Sequence, residues 1–71
     1  MKTIYNHITD IQKVDGIYEI HPCNNDTISG YIEVNNGKLT DFNNKSEYTD
    51  HDIFDIESYE EEHLVYYKKI N

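Results

Sequence analysis

The chain has 71 residues and a formal net charge of -8, with fourteen Asp and Glu against six Lys and Arg. That length holds one small domain with a single core, residues 1–71, and excludes a multi-domain enzyme. There is no arginine, so the clustered cations that displace counterions from a phosphate backbone are missing, and direct binding to nucleic acid or an anionic membrane is not expected.

The single cysteine, Cys23, cannot form an intrachain bridge, which points to a reducing, cytoplasmic setting. No apolar run approaches the ~18 residues of a membrane span, and the opening MKTIYNHITDIQ reads as neither signal peptide nor anchor. Phe, Tyr, Met, Ile, Asn and Lys, whose codons are AT-rich, make up nearly half of the chain, while alanine is absent. This composition points to a low-GC bacterium or one of its phages. Without the best helix former, and with Ile, Tyr, Thr and Val plentiful, strand should dominate.

In chain order, Ile4, Ile8, Ile11 and Val14 fall at near-helical spacing. They predict a short amphipathic helix over Lys2 to Val14, closed by Asp15-Gly16; the rival is a strand, because β-branched residues are frequent although Ile4, Asn6, Ile8 and Asp10 do not alternate cleanly. Gly16 to His21 alternates, with Tyr18 and Ile20 on one face, and Pro22 ends that strand. Asn24-Asn25-Asp26 reads as a turn. Tyr31 to Phe42 carries Asn36-Gly37, the preferred dipeptide of a two-residue hairpin turn. That register pairs Val34 with Leu39 on one face and Tyr31 with Phe42 on the other.

Asn43 to Asp50 is a polar loop. His51 to Ile70 admits two readings. One is a helix begun by Asp50 and Asp52 with an Ile53, Ile56, His63 and Leu64 stripe, or begun at Ser58 with Glu61 as its capping-box glutamate. The other is a hairpin with arms Ile53 to Ser58 and His63 to Ile70. Leu64 to Tyr67 favours strand, and the segment before it stays open. The expected architecture is α+β, a small antiparallel sheet of four or five strands with one short helix, N-terminal in position; an all-β barrel is the alternative.

Few residues suggest chemistry. His21, Cys23, His51 and His63 lack the paired spacing of a zinc site, and they read as surface or strand-edge histidines and a small turn cysteine. No Gly-rich phosphate loop, calcium loop or Ser-His-Asp pattern is present, and no catalysis or cofactor is expected.

The feature above background is acidic. Ser46 to Asn71 holds eight acids and two lysines, and no lysine or arginine lies between Glu47 and Tyr67. Asp50 and Asp52, Asp55 and Glu57, and Glu60 and Glu62 form i, i+2 pairs. On an extended strand such pairs share a side about 6.6 Å apart, near the spacing of successive phosphates. Asp50, Asp52, Asp55, Glu57, Glu60, Glu61 and Glu62 would then act as phosphate surrogates, with Tyr48, Tyr59 and Tyr66 as anchors. The same run also fits a plain solvated face that keeps the protein soluble.

In size, acidity, AT-rich codon usage and lack of catalytic motifs, the chain resembles the small phage-encoded anti-defence inhibitors, among them anti-CRISPR proteins and other nucleic-acid mimics. The resemblance implies a basic protein partner, a nucleic-acid-binding enzyme or defence complex, whose substrate channel is blocked. The rival is a structural module that forms a homo-oligomer or joins a larger complex through a sheet edge.

Overall fold

The computed structural model describes residues 3–22 and 27–71. Its elements are β1 (Ile4–Tyr5), α1 (Ile8–Ile11), β2 (Gly16–Pro22), β3 (Gly30–Asn35), β4 (Lys38–Asp41), α2 (Asp50–Glu62) and β5 (Val65–Lys69). The five strands form one open antiparallel sheet in the order β1-β5-β2-β3-β4. The α+β expectation holds, and the sheet does not close into a barrel. The longer helix is not N-terminal: it lies between β4 and β5.

The helix expected over Lys2 to Val14 shrinks to one turn. Ile4 and Tyr5 instead pair with Lys68 and Tyr67 along β5, an edge that would otherwise leave backbone groups without sheet partners. Ile8 and Ile11 are buried, as the apolar spacing predicts, whereas Ile4 is exposed. The turn expected at Asn24-Asn25-Asp26, and Cys23 with it, lies outside the described residues.

The hairpin forms as its sequence predicts. Asn36 and Gly37 both take positive φ, 54° and 81°, which the type I′ turn requires and which glycine adopts without a Cβ clash. Val34 pairs with Leu39, and the rings of Tyr31 and Phe42 lie 6.4 Å apart.

Alternation along the strands builds the core on one sheet face. Tyr18, Ile32, Val34, Leu39, Val65 and Tyr67 are buried there, and Ile8 and Ile11 of α1 pack onto them. Cross-strand partners Tyr18 and Ile32, Ile20 and Tyr67, and Val34 and Leu39 keep the layer in register. Helix α2 lies over the same face but shallowly, touching the core through half-buried Ile53 and Ile56 with no fully buried residue of its own.

The open question over 51–62 resolves to helix. Thr49 is the N-cap: its Oγ1 accepts from the Asp52 N–H at 3.1 Å, and Asp52 Oδ2 accepts from the Thr49 N–H at 2.9 Å. This reciprocal capping box satisfies two donors that a strand start would leave to the sheet. The stripe stops short of its expected end, because His63 is the C-cap and Leu64 is exposed. Thr49→Ala should therefore lower stability by about 1 kcal/mol. Urea unfolding would show a lower midpoint at unchanged slope, and amide exchange should accelerate first in the opening turn of α2.

Candidate functional site: the acidic helix and its flanks

A helix rearranges the acidic run. At about 100° per residue, i and i+2 point to nearly opposite sides, so the same-side pairs expected of a strand do not form. The carboxylates fall instead on two ridges flanking the half-buried stripe of Ile53 and Ile56. One ridge runs Asp50, Phe54, Glu57, Glu61, and the other Asp52, Asp55, Tyr59, Glu62. Ridge neighbours three or four residues apart have Cβ atoms about 5–6 Å from one another, so close spacing of charge survives the change of element. Asp50, Asp52, Asp55, Glu57, Glu61 and Glu62 are all exposed.

Glu60 does not join them. Its side chain is 3% exposed and turns toward α1. There Oε2 accepts from the Ile8 N–H at 2.9 Å and from the Tyr67 hydroxyl, and His7 Nδ1 lies 3.6 Å from Oε1. Both orphan groups, an amide of the first turn of α1 and a core phenol, are thereby satisfied. Glu60 is a clamp between α1, α2 and β5, and its charge is not presented to a partner.

The three tyrosines separate as well. Tyr48 is half-buried against the core and lines a cleft beside the start of α2. Tyr59 lies on an acidic ridge, its ring stacked on His63 at 4.2 Å. Tyr66 alternates with buried Val65 and Tyr67, so it belongs to the sheet face opposite α2, where it stacks on His21 at 4.4 Å. It is not gathered with the carboxylates.

Phe54, 64% exposed, is the aromatic that sequence reading passed over. It is out of phase with the Ile53 and Ile56 stripe once the segment is read as helix, and that phase was its only signal. Asp41 and Glu47 were likewise missed. The chain returning along β4 brings them to the Asp52 and Asp55 flank, where all four line one cleft.

The local electrostatics follow from these contacts. Hydrogen bonds from the backbone and side chain of Thr49 hold the Asp52 carboxyl below the usual carboxylate range. Burial, then the carboxylates of Asp41 and Asp52, pushes the Tyr48 phenol up. Among the described residues, no lysine lies within ion-pair distance of a carboxylate of α2; the neighbours are imidazoles, His51 at 3.4 Å from Asp55 and His7 at 3.6 Å from Glu60. His21, expected at the surface or a strand edge, is buried on β2 with Nε2 3.0 Å from Glu19.

Among the described residues, no three His, Cys, Asp or Glu side chains are placed to hold a metal ion, and no helix is long and apolar enough to cross a membrane. No family model, curated protein or solved structure matches the chain.

Proposed function

We propose that the protein acts by binding, not catalysis, and that α2 docks on a basic, nucleic-acid-binding surface of a partner and keeps nucleic acid out. A defence or nucleic-acid-processing protein of a low-GC bacterium is the proposed target. The inhibitor would be phage-encoded, anti-CRISPR-like, and would work in the host cytoplasm.

One observation carries this reading. Glu61 and Glu62 are exposed at the C-terminal end of α2, where no basic residue occupies the last turn. A carboxylate there opposes the helix dipole, at a cost of about 0.3–1 kcal/mol each, and Glu57 adds like-charge repulsion with Glu61 four residues on. Lysine at 61 and 62 would suit the helix dipole, and at 61 it would also pair with Glu57. A cationic partner surface gives the unfavourable choice a use, because it offsets both repulsions on contact. Exposed Phe54 beside Asp50, Glu57 and Glu61 supplies an apolar anchor within the charged ridge.

Assembly through a sheet edge has less in its favour. The outer edge of β4 is met by the returning chain, with a bridge between Thr40 and Glu47 and a Tyr48 N–H to Leu39 carbonyl bond of 2.8 Å. On the other side, β1 is only two residues long. Short or covered edges resist strand addition.

The test compares immobilised protein with its Glu57→Lys, Glu61→Lys, Glu62→Lys variant, both exposed to low-GC bacterial lysate. The native protein should retain a nucleic-acid-binding protein that elutes with salt, and the variant should not, although its lysines at 61 and 62 complement the C-terminal end of the helix and should keep it folded. Retention indifferent to the reversal, or no retained protein, would contradict the proposal.

A further inference from the structure

Two clefts meet along one flank of α2. The first, about 330 Å³, opens between the helix and the sheet; Ile20, Ile32, Ile56, Val65 and Tyr67 wall it, and Ser29 and Asp55 are its polar lining. The second, about 370 Å³, lies toward the start of the helix and is lined by Asp41, Glu47, Asp52 and Asp55 beside Tyr48. Asp55 and Ile56 belong to both. An oily recess therefore adjoins a four-carboxylate recess.

We propose that the two recesses together take one short stretch of a partner polypeptide, an apolar side chain entering the first and a neighbouring lysine or arginine the second. This rests on the reading of α2 as a docking helix and adds the chemistry of the contact. The apolar recess has about twice the ~150 Å³ that suffices to hold a benzene ring in a dry protein cavity, so one large side chain fits.

The acidic recess selects a cation of particular shape. Its carboxylates are not grouped as metal ligands, which leaves the extended ammonium or guanidinium of a side chain as the matching cation. Acceptors remain for it. Asp41 Oδ1 receives the Asn43 and Asn44 N–H groups, and Asp52 Oδ2 receives Thr49 N–H. The second oxygen of Asp41 is therefore available, beside the carboxylates of Glu47 and Asp55. Phosphates are repelled by the same charges, so a nucleic acid or an anionic bilayer is the wrong occupant and a basic polypeptide the right one.

The chain contains no tryptophan, so a tryptophan peptide reports its own environment. Two probes suffice, the pentapeptides Lys-Lys-Trp-Lys-Lys and Lys-Lys-Ser-Lys-Lys, titrated into the 71-residue chain at low salt. The tryptophan peptide should bind roughly tenfold tighter or better, since burying a large apolar side chain is worth more than one decade in affinity, and its emission should shift to the blue.

Ser29→Phe, which fills the mouth of the apolar recess from an exposed position, should erase the difference between the probes. Asp55→Asn should weaken both. Equal affinities with no spectral shift would overturn the two-recess contact while leaving the attraction of α2 for cations intact. A preference that ignores Ser29→Phe would place the ring elsewhere and also overturn it. If neither peptide binds, the docking reading of α2 fails as well.

Discussion

Glu60→Ala is expected to remove most of the stability of the fold. Two hydrogen bonds to a buried carboxylate are lost, one from the Ile8 amide at 2.9 Å and one from the Tyr67 hydroxyl. Bonds to charged groups contribute about 1.5–3 kcal/mol each, and the deserted donors then carry their desolvation penalty. A loss of about 3 kcal/mol is severe for a domain of this size, whose core rarely supplies more than ~3–5 kcal/mol.

Three partner variants sort out the source of the effect. Glu60→Gln keeps an acceptor and should cost about half as much. Tyr67→Phe should fall between native and Glu60→Ala, because the Ile8 bond survives. His7→Ala should change little, since that ring is 62% exposed and its Nδ1 lies 3.6 Å from Glu60 Oε1, beyond hydrogen-bonding distance. Urea midpoints measure all four. An unchanged midpoint for Glu60→Ala would show that the carboxylate is not the clamp described here.

The second large effect is alkaline. Burial, with smaller contributions from Tyr5 and Asp15, pushes the Tyr18 phenol up to about 12. Burial and the Glu60 carboxylate push Tyr67 up further, and Tyr48 moves the same way. A phenol whose pKa is higher folded than unfolded favours the fold while it stays protonated. Stability is therefore complete below pH 10, where unfolded tyrosine is still neutral, and is lost as the pH climbs from 10 toward 12.

The slope reaches about 1.4 kcal/mol per pH unit for each fully buried tyrosine, so Tyr18 and Tyr67 together remove a large part of the stability of a small domain within one or two units. Tyrosinate absorbance of the buried phenols and loss of the far-ultraviolet circular dichroism signal should then coincide. Complete ionisation with the signal intact would contradict the burial of Tyr18 and Tyr67.

These two effects mark where the sequence was readable. Local signals carried the hairpin, because Asn36-Gly37 fixes its own turn and the flanking alternation fixes its faces. Tyr18 and Ile20 on β2, and the strand character of Val65 to Tyr67, were legible for the same reason. Long-range pairing was not. The short β1 exists only because β5, more than sixty residues away in the chain, presents an edge, and no periodicity near Ile4 encodes that.

The acidic segment reads in sequence as open between helix and strand, and only the pairing of its carboxylates presumes a strand. Its carboxylates are spaced by two, a strand pattern, yet Thr49 and Asp52 cap a helix and Ile53 and Ile56 give it a narrow half-buried stripe. Glu60 is indistinguishable in sequence from Glu61 and Glu62. Only helix phase, which turns position 60 to the side of Ile53 and Ile56, separates the clamp from the exposed charges. The displaced strand row does not remove the charge; it redistributes six carboxylates over two ridges of one ordered helix.

Competition for the partner's nucleic acid tests the central proposal most directly. With the protein captured from lysate in hand, its affinity for nucleic acid is measured at rising concentrations of this chain and of the Glu57→Lys, Glu61→Lys, Glu62→Lys variant. The native chain should displace the nucleic acid competitively, less so as salt screens the charges, and the variant should leave it bound. Simultaneous binding of nucleic acid and native chain to the partner would contradict the proposal.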